Sequence, residues 1–494
     1  MFKFLLLSIA GGVISGLSLN SACLSFLCWF SLIPLFYVLK KSSFKLSLLF
    51  SYLAGLSHFL TVIFWIGFVS RLGLAILLIY LSLYWLFFGL LCKSFFCGRG
   101  RYLSASPAFL WVVLEYVRAS FGGFGWGLLG YSQYKNLWLI QPAGITGVWG
   151  ISFLIVYANI VLFNLFILLD SKHLTGLAKP KRKPVFLQAL VFVFLMALSL
   201  EYSYFVLRKD YSKEAKLSLS IIQPNITREE KWAEGYSLIN REKLFKLGRQ
   251  APLDSLLIFP EASWPDAVSE LNLKEIEQFF SRLGRDGLIG TVIEEKGLFY
   301  NTALLVDKDS GITGVYKKIK LVPFGEYVPF RDYLPFIDVL NSLGDINPGK
   351  EYTVFSYGKA KISSPICFED VFPDFVKEFV KRGANLLVNI TNDAWFKGYP
   401  EAGQHLQSAV FRAVENRRVL VRVANTGISC IISPQGKISR RVSLGNKNVF
   451  VQGIRFSEVS LINSRSIYSR INSGLVFLIL TVLLSGLKAV RIGK

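Results

Sequence analysis

Cysteine, histidine and acidic side chains are scarce in this chain, and each shortage removes a class of protein. Six cysteines stand among 494 residues. Cys23, Cys28, Cys92 and Cys97 lie in or beside apolar runs, and only Cys367 and Cys430 fall in polar sequence. No close pair occurs there, which argues against a disulfide framework and a thiolate zinc site. The three histidines, His58, His173 and His405, are far apart, so no dedicated metal site is expected. Acids are rarest in residues 1–209, where Glu115, Asp170 and Glu201 stand against 17 Lys and Arg. The net charge of +22 is therefore not spread like a nucleic-acid footprint. The basic residues fall between apolar runs, where membrane topology places them, and no nucleic-acid partner is expected. Internal repeats and low-complexity tails are also missing.

Apolar residues are what the chain has in abundance. They make up 52%, and the mean hydropathy is +0.45, the signature of a polytopic membrane protein. A helix needs about 20 residues to cross a hydrocarbon layer of ~30 Å. Eight runs approach that length: 3–20, 22–39, 46–68, 72–92, 104–120, 145–169, 185–206 and 472–490. The fifth is the weakest, because Glu115 and Arg118 lie near its end. The start of the chain also resembles a lipoprotein signal, with Lys3, an apolar run and Asn20-Ser-Ala-Cys23. Asn20 is a poor residue for that purpose and apolar character resumes after Cys23, so an uncleaved first span is expected.

Lys40, Lys41 and Lys45 follow the second run. Lys93, Arg99 and Arg101 follow the fourth, and Lys172, Lys179, Lys181, Arg182 and Lys183 follow the sixth. The loops between hold Arg71 and Lys135. The positive-inside rule then makes the even-numbered loops cytoplasmic, together with both termini. The expected organisation is a membrane domain of seven spans over 1–209, an extramembrane domain over 210–470 on the far side, and an eighth span over 471–494.

Between spans five and six, residues 121–144 are rich in glycine and aromatics. Gly125, Gly127 and Gly130 match a dinucleotide-binding pattern, but no strand precedes them and no βαβ unit surrounds them, so no cofactor is expected. Aromatic side chains at a membrane interface account for the composition. Whether the loop also lines a path for lipid or only packs stays open at this level.

Residues 210–470 read as α/β. Strand-like runs are 217–223, 256–259, 288–293, 302–306, 314–319, 361–367, 385–389, 419–423, 428–432 and 449–453. Helical patterns cover 235–250, 271–284, 373–382 and 402–417. Many strands with a few long helices suit a layered sandwich.

Three residues of this block belong together chemically. Glu261 follows the apolar strand Leu256-Leu257-Ile258-Phe259-Pro260. Lys318 lies on or just after another strand, and Cys367 ends a third. A carboxylate, an ammonium and a thiol are a base, an oxyanion partner and a nucleophile, the tools of cysteine acyl transfer. Taken singly, each has a plainer reading: a small core cysteine, a loop acid, a surface lysine.

The local strings carry a resemblance. They are Pro-Glu-Ala-Ser-Trp-Pro (260–265), Tyr-Lys-Lys-Ile-Lys-Leu-Val-Pro-Phe-Gly-Glu-Tyr-Val-Pro (316–329), Ile-Cys-Phe-Glu-Asp (366–370), Asn-Ile-Thr-Asn-Asp-Ala-Trp-Phe (389–396), Gln-His-Leu-Gln (404–407) and Ala-Asn-Thr-Gly (424–427). Gln223-Pro224-Asn225-Ile226 and Lys231-Trp232 add to them. In this order they resemble the nitrilase superfamily, and within it the membrane-embedded apolipoprotein N-acyltransferase branch, over nearly the whole chain.

The resemblance implies an αββα sandwich outside the membrane, with Glu261 as general base, Lys318 as oxyanion cation and Cys367 as nucleophile. It implies supporting roles for Glu326 beside Lys318, Glu369 beside Cys367, Trp232 on a loop near the lipid entrance, and Asn392 with Asp393 on the wall near the nucleophile. Phe368 stands where the family commonly has tyrosine, and Lys397 interrupts a usual Trp-Phe-Gly run, suggesting a longer loop. The implied reaction passes an acyl chain from a membrane phospholipid, through a thioester, to the N-terminal amine of a diacylglyceryl apolipoprotein. The implied setting is a monomer in the inner membrane of a two-membrane bacterium, its catalytic domain periplasmic. The alternative is a membrane-tethered amidase acting on a small soluble C–N substrate, since the same trio would serve it.

Overall fold

A computed structural model describes the chain apart from residues 97–103, 171–176, 178, 233–234, 270–271, 328–345, 397–399, 473 and 482–494, and apart from the side chains of 94–96, 228, 232 and 395–396. The chain divides into two compact units, Met1–Lys209 with Ser466–Lys494, and Asp210–Arg465.

The first unit is helical. Among the described residues, six helices are long and apolar enough to cross a membrane: Phe2–Asn20, Ala22–Lys41, Phe44–Phe68, Arg71–Lys93, Val148–Leu169 and Arg182–Leu207. The second begins as a 3₁₀ turn, Ala22–Trp29, before the α-helix Ile33–Lys41. Small residues bring helices close, as expected where lipid supplies no hydrophobic drive between them. A Cβ on Gly12 would sit 2.2 Å from the Ala54 carbonyl oxygen. The fifth expected span is a helix of 15 residues, Ser106–Ser120, about 22 Å long and short of the hydrocarbon thickness. Of the eighth, 472 and 474–481 lie within the described residues, and 474–481 is helical.

Glu115 and Arg118, the reason to doubt the fifth run, turn inward and hold the aromatic loop. The Leu129 N–H donates to Glu115 Oε1 at 2.7 Å, and Arg118 Nη1 donates to the Trp126 carbonyl at 2.7 Å. Trp126, Leu128, Leu129 and Tyr131 are buried, while Trp138 is exposed. Most of the loop is packed inside the unit, which favours packing over a lipid path. Buried backbone must find partners, and here two charged side chains supply them. The cavity bordered by Gly127 and Leu129 measures ≈20 Å³, room for about one water and too little for an acyl chain.

The second unit is built on two sheets. The first has seven strands: β1 (Lys216–Gln223), β2 (Leu256–Ile258), β3 (Ala267–Ser269), β4 (Gly287–Glu295), β5 (Leu298–Asp307), β6 (Gly311–Lys317) and β13 (Gly453–Ser460), ordered β13-β1-β2-β4-β5-β6 with β3 beside β4. The second has six: β7 (Phe355–Tyr357), β8 (Ala360–Ser363), β9 (Leu386–Thr391), β10 (Val419–Ala424), β11 (Cys430–Ile432) and β12 (Ile438–Ser439), ordered β12-β11-β10-β9-β8-β7.

Strands β2, β9 and β10 are buried at every residue, which requires cover on both faces. Alternation supplies it. Ile222, Leu257, Phe259, Ile289 and Leu304 pack with Leu244, Leu247, Ile276 and Phe280 from the helices Tyr236–Arg249 and Lys274–Leu283. The intervening residues turn the other way, and β1 meets β10 of the second sheet. The helix Glu401–Asn416 packs on the second sheet, and the helix Pro373–Lys381 packs beside it. The layering is αββα, as expected.

The last strand assignment shifts. Residues 449–452 are coil, and the last strand runs Gly453–Ser460 beside β1. Its sequence, Gly-Ile-Arg-Phe-Ser-Glu-Val-Ser, breaks apolar alternation at Ser457-Glu458 on a largely exposed edge, a weaker signal than a buried run. Short strands β3, β7 and β12 carry too few residues to show a period.

Candidate active site

Three of the site residues stand just past strand ends, where side chains are released from sheet packing. Glu261 follows β2. The turn after it is tight: Ala262 has φ +45°, and the Ser263 N–H returns to the Gly290 carbonyl at 2.9 Å. Gly290 is required there, because a Cβ would lie 2.6 Å from the Glu261 Cα and 2.5 Å from the Pro260 oxygen. Lys318 follows β6, its N–H bonded to the Asn301 carbonyl at 2.8 Å.

Cys367 is not in a strand. β8 ends at Ser363, a single bridge pairs Ile366 with Ile390, and Cys367 opens a 3₁₀ turn, Cys367–Val371, with φ +51°. A side chain with a Cβ rarely adopts that conformation, at a cost of about 1–3 kcal/mol, and such positions cluster at functional sites.

Glu261, Lys318 and Glu326 form one buried cluster. Lys318 Nζ lies 3.0 Å from Glu261 Oε1 and 2.9 Å from Glu326 Oε1. Asn301 Nδ2 donates to the same two oxygens, at 2.8 Å each. The other oxygen of Glu326 accepts the Val322 N–H at 2.9 Å, and that of Glu261 accepts the Asn392 N–H at 2.8 Å. Asn392 thus serves through its backbone, while its side-chain oxygen takes a bond from Asn425 at 3.0 Å. Burial alone would lower the Lys318 ammonium. Glu261 and Glu326 outweigh it and hold the group well above its ordinary value, so it stays a cation at neutral pH.

The thiol of Cys367 faces this cluster. Burial, then the Glu261 charge, push it well above its ordinary value, and Lys318 pulls the other way. Asp393 adds to the upward push, and the Thr391 hydroxyl opposes it. The resting sulfur is therefore a protonated thiol that needs a base, with a carboxylate and an ammonium in its field.

Glu369 is wholly buried. It accepts N–H bonds from Ile366 at 2.7 Å, Ile319 at 2.7 Å and Lys320 at 2.9 Å, and the Tyr316 hydroxyl at 2.8 Å. It ties the turn holding Cys367 to the segment holding Lys318. Burial pushes its carboxyl up to about 7 against those donors. Phe368 packs edge-to-face on Phe372, centroids 5.0 Å apart. Trp232 closes a short helix, Arg228–Trp232, and its side chain, like that of Trp395 and the loop at Lys397, lies outside the described residues.

Four residues near the site carried no role in the sequence reading. Asn301 bridges the two carboxylates, and Tyr316 braces Glu369. Lys231 donates to the Ala262 carbonyl at 2.6 Å; burial lowers it to about 8, with Glu261 opposing. His405 stands within 4.8 Å of both the Cys367 sulfur and Asp393, measured between their potential ligand atoms. The string Gln-His-Leu-Gln was the only sign of it. Its ring nitrogens are engaged with Asp393 at 3.3 Å and Asp370 at 3.1 Å, and Arg422 lies against both acids. A guanidinium in that position makes the group an ion-pair network and a poor cradle for a metal cation.

A thiol, a carboxylate and an ammonium converge on an αββα sandwich, the arrangement that suits an enzyme of the carbon-nitrogen hydrolase class. Residues 252–463 match the carbon-nitrogen hydrolase family model, and residues 11–161 match that of the apolipoprotein N-acyltransferase N-terminal domain. An apolipoprotein N-acyltransferase of Geobacter metallireducens is 33% identical, with 94% of this chain and 91% of that protein covered. One from Thermotoga maritima is 28% identical, covering 88% and 84%. Among solved structures, a Saccharomyces cerevisiae member of the nitrilase superfamily aligns with 51% of this chain and 92% of its own, at 14% identity and a TM-score of 0.38. The chain belongs to the apolipoprotein N-acyltransferase family. With its apolar helices, it is a membrane protein.

Proposed function

We propose that this protein moves an acyl chain from a membrane phospholipid to the N-terminal amine of a diacylglyceryl apolipoprotein, through a thioester on Cys367. The observation that carries the reading is the buried Glu261–Lys318–Glu326 cluster facing a protonated thiol, in a chain with six long apolar helices. Glu261 takes the thiol proton as sulfur attacks the ester carbonyl. The C–O bond breaks, and the departing lysophospholipid oxygen receives that proton. The α-amine then attacks the thioester, the C–S bond breaks, and the proton lost by nitrogen returns through Glu261 to sulfur. Lys318 faces the oxyanion of both tetrahedral intermediates, where a preorganised donor contributes about 3–4 kcal/mol. Glu326 and Asn301 hold Lys318 and Glu261 in register.

Both substrates carry chains that prefer the bilayer, so a tethered site gains proximity. The arrangement that suits them has seven spans in 1–209 and one in 471–494, with 210–470 on the periplasmic face of the inner membrane, as a monomer. Basic residues after the second, fourth and sixth spans support that orientation.

The test is intact-mass analysis of the full chain incubated with phospholipid. One fatty acyl group, labile to hydroxylamine and mapped to Cys367, is expected, and none in Cys367→Ala. An adduct persisting in Cys367→Ala would remove the nucleophile. No adduct in the wild type, with turnover of a small amide, would favour the amidase reading.

A further inference from the structure

The nucleophile turn rests on a buried ionic network that the acyl-transfer chemistry leaves unassigned. His405, in the helix Glu401–Asn416, approaches the Cys367 carbonyl through Nε2 at 3.2 Å. Asn389 Nδ2 donates to the same carbonyl at 3.2 Å and to Pro365 at 3.1 Å. Arg422, in β10, donates to Asn389 at 2.6 Å and pairs with Asp370 at 3.3 Å and Asp393 at 3.2 Å. Ser408 donates to Asp370 at 2.9 Å. His405, Arg422, Asp370 and Asp393 are each at most 3% exposed.

The charges matter because Asp393 faces two ways. Its two oxygens meet His405 and Arg422, and its charge opposes ionisation of the Cys367 sulfur, within 4.8 Å of it. Two cations against two anions leave the network near neutral. Removing one cation leaves an uncompensated carboxylate beside the nucleophile, in a medium where a single charge acts strongly.

We propose that His405 is a positioning residue for the nucleophile: it clamps the Cys367 carbonyl in its left-handed turn and, as a buried cation, offsets the Asp393 charge that faces the sulfur. The groups facing His405 are Asp370 from the nucleophile turn, Asp393 from the segment after β9, Arg422 from β10, and Glu401 from its own helix. Burial and Arg422 push the imidazole down, and Asp370 and Asp393 overcome them and bring it up to about 9. It is therefore charged at neutral pH. The sulfur itself faces Glu261, Lys318 and Asp393.

The proposal rests on Cys367 being the nucleophile, and its test reads the sulfur without using acyl chemistry. The full chain, inserted in liposomes, is alkylated with iodoacetamide across pH 6–10, and the Cys367 peptide is quantified by mass. His405→Gln keeps an amide donor and loses the charge; the apparent thiol pKa should rise by about one unit, a tenfold slower alkylation at neutral pH. Asp393→Asn should move it the opposite way. Opposite shifts are the signature, because loosened packing would move both variants together. Unchanged pKa values in folded variants, or shifts of the same sign, overturn the proposal. If His405→Gln does not fold, the Asp393→Asn shift and the wild-type profile decide: a downward shift supports the charge balance and its absence refutes it. Absence of an acyl adduct on wild-type Cys367 would instead overturn the transfer reading and leave these shifts standing.

Discussion

Asn301 shows how much of this site depends on a neutral side chain. Two carboxylates and one ammonium are buried together, leaving an excess negative charge that a single lysine cannot fully satisfy. The amide donates to both Glu261 and Glu326 at 2.8 Å. Without it, each carboxylate would keep one fewer donor and Glu261 would gain freedom to swing. In Asn301→Ala, acyl loading of Cys367 should slow by about 10²-fold, the scale of a small misplacement of a catalytic group. Stability should fall by about 1–3 kcal/mol, the cost of leaving buried acceptors short of a partner. A mass-spectrometric time course of the adduct measures the first, and an unaltered loading rate would mean that Lys318 and the Asn392 N–H position the base without the amide.

At the scale of elements, the strands act as rails that deliver side chains at their ends. Gly290 in β4 permits the Glu261 turn to lie against its backbone. Gly290→Ala would meet only main-chain atoms, so the turn must shift by several tenths of an ångström. Loading should fall at least about tenfold while the helices stay intact, as in other cases where strain displaces a working group; circular dichroism beside the loading assay checks this.

This scale also shows what could be read beforehand. The alternation in 217–223 and the apolar run at 256–259 mark strands because burial on two faces selects such residues. Glu261 and Lys318 were legible because each follows such a run. Cys367 reads as the end of a strand because Ser363-Ser364-Pro365-Ile366 looks extended, yet β8 stops at Ser363, four residues earlier, and only the single bridge at Ile366 follows. His405 was illegible as a partner of Cys367. Nothing local couples positions 38 residues apart, and only packing of the helix Glu401–Asn416 on the turn unites them. Glu115 and Arg118 mark the fifth run as the weakest, and its helix is 15 residues long; the backbone they serve, at Trp126 and Leu129, is not readable from the run itself.

For the whole molecule, the buried charges set a direction for stability against pH. Folding raises His405 from 6.5 to about 9, Glu401 from 4.5 to about 8 and Glu369 from 4.5 to about 7. A raised value stabilises the fold fully below the unfolded pKa and ceases to do so as pH climbs through the folded one. All three therefore favour the acid side of neutrality. Lys231, lowered to about 8 by burial, has the opposite sign, but its change falls above pH 8. The thermal midpoint of the full chain in detergent should drop between pH 6.5 and 8. His405→Gln should flatten that slope, removing up to about 3 kcal/mol of pH-dependent stability. A midpoint that rises over this interval would contradict the charged His405.

The antiparallel pairing of β1 with β13, Lys216 opposite Ser460, places the two ends of the globular unit on neighbouring strands, about 5 Å apart. The unit is thus a cassette inserted at one point of the helical unit's sequence, with its own sheet holding its entry and exit strands together. Evolution could exchange such a cassette for another as a single block, because one strand pair carries both its entry and its exit.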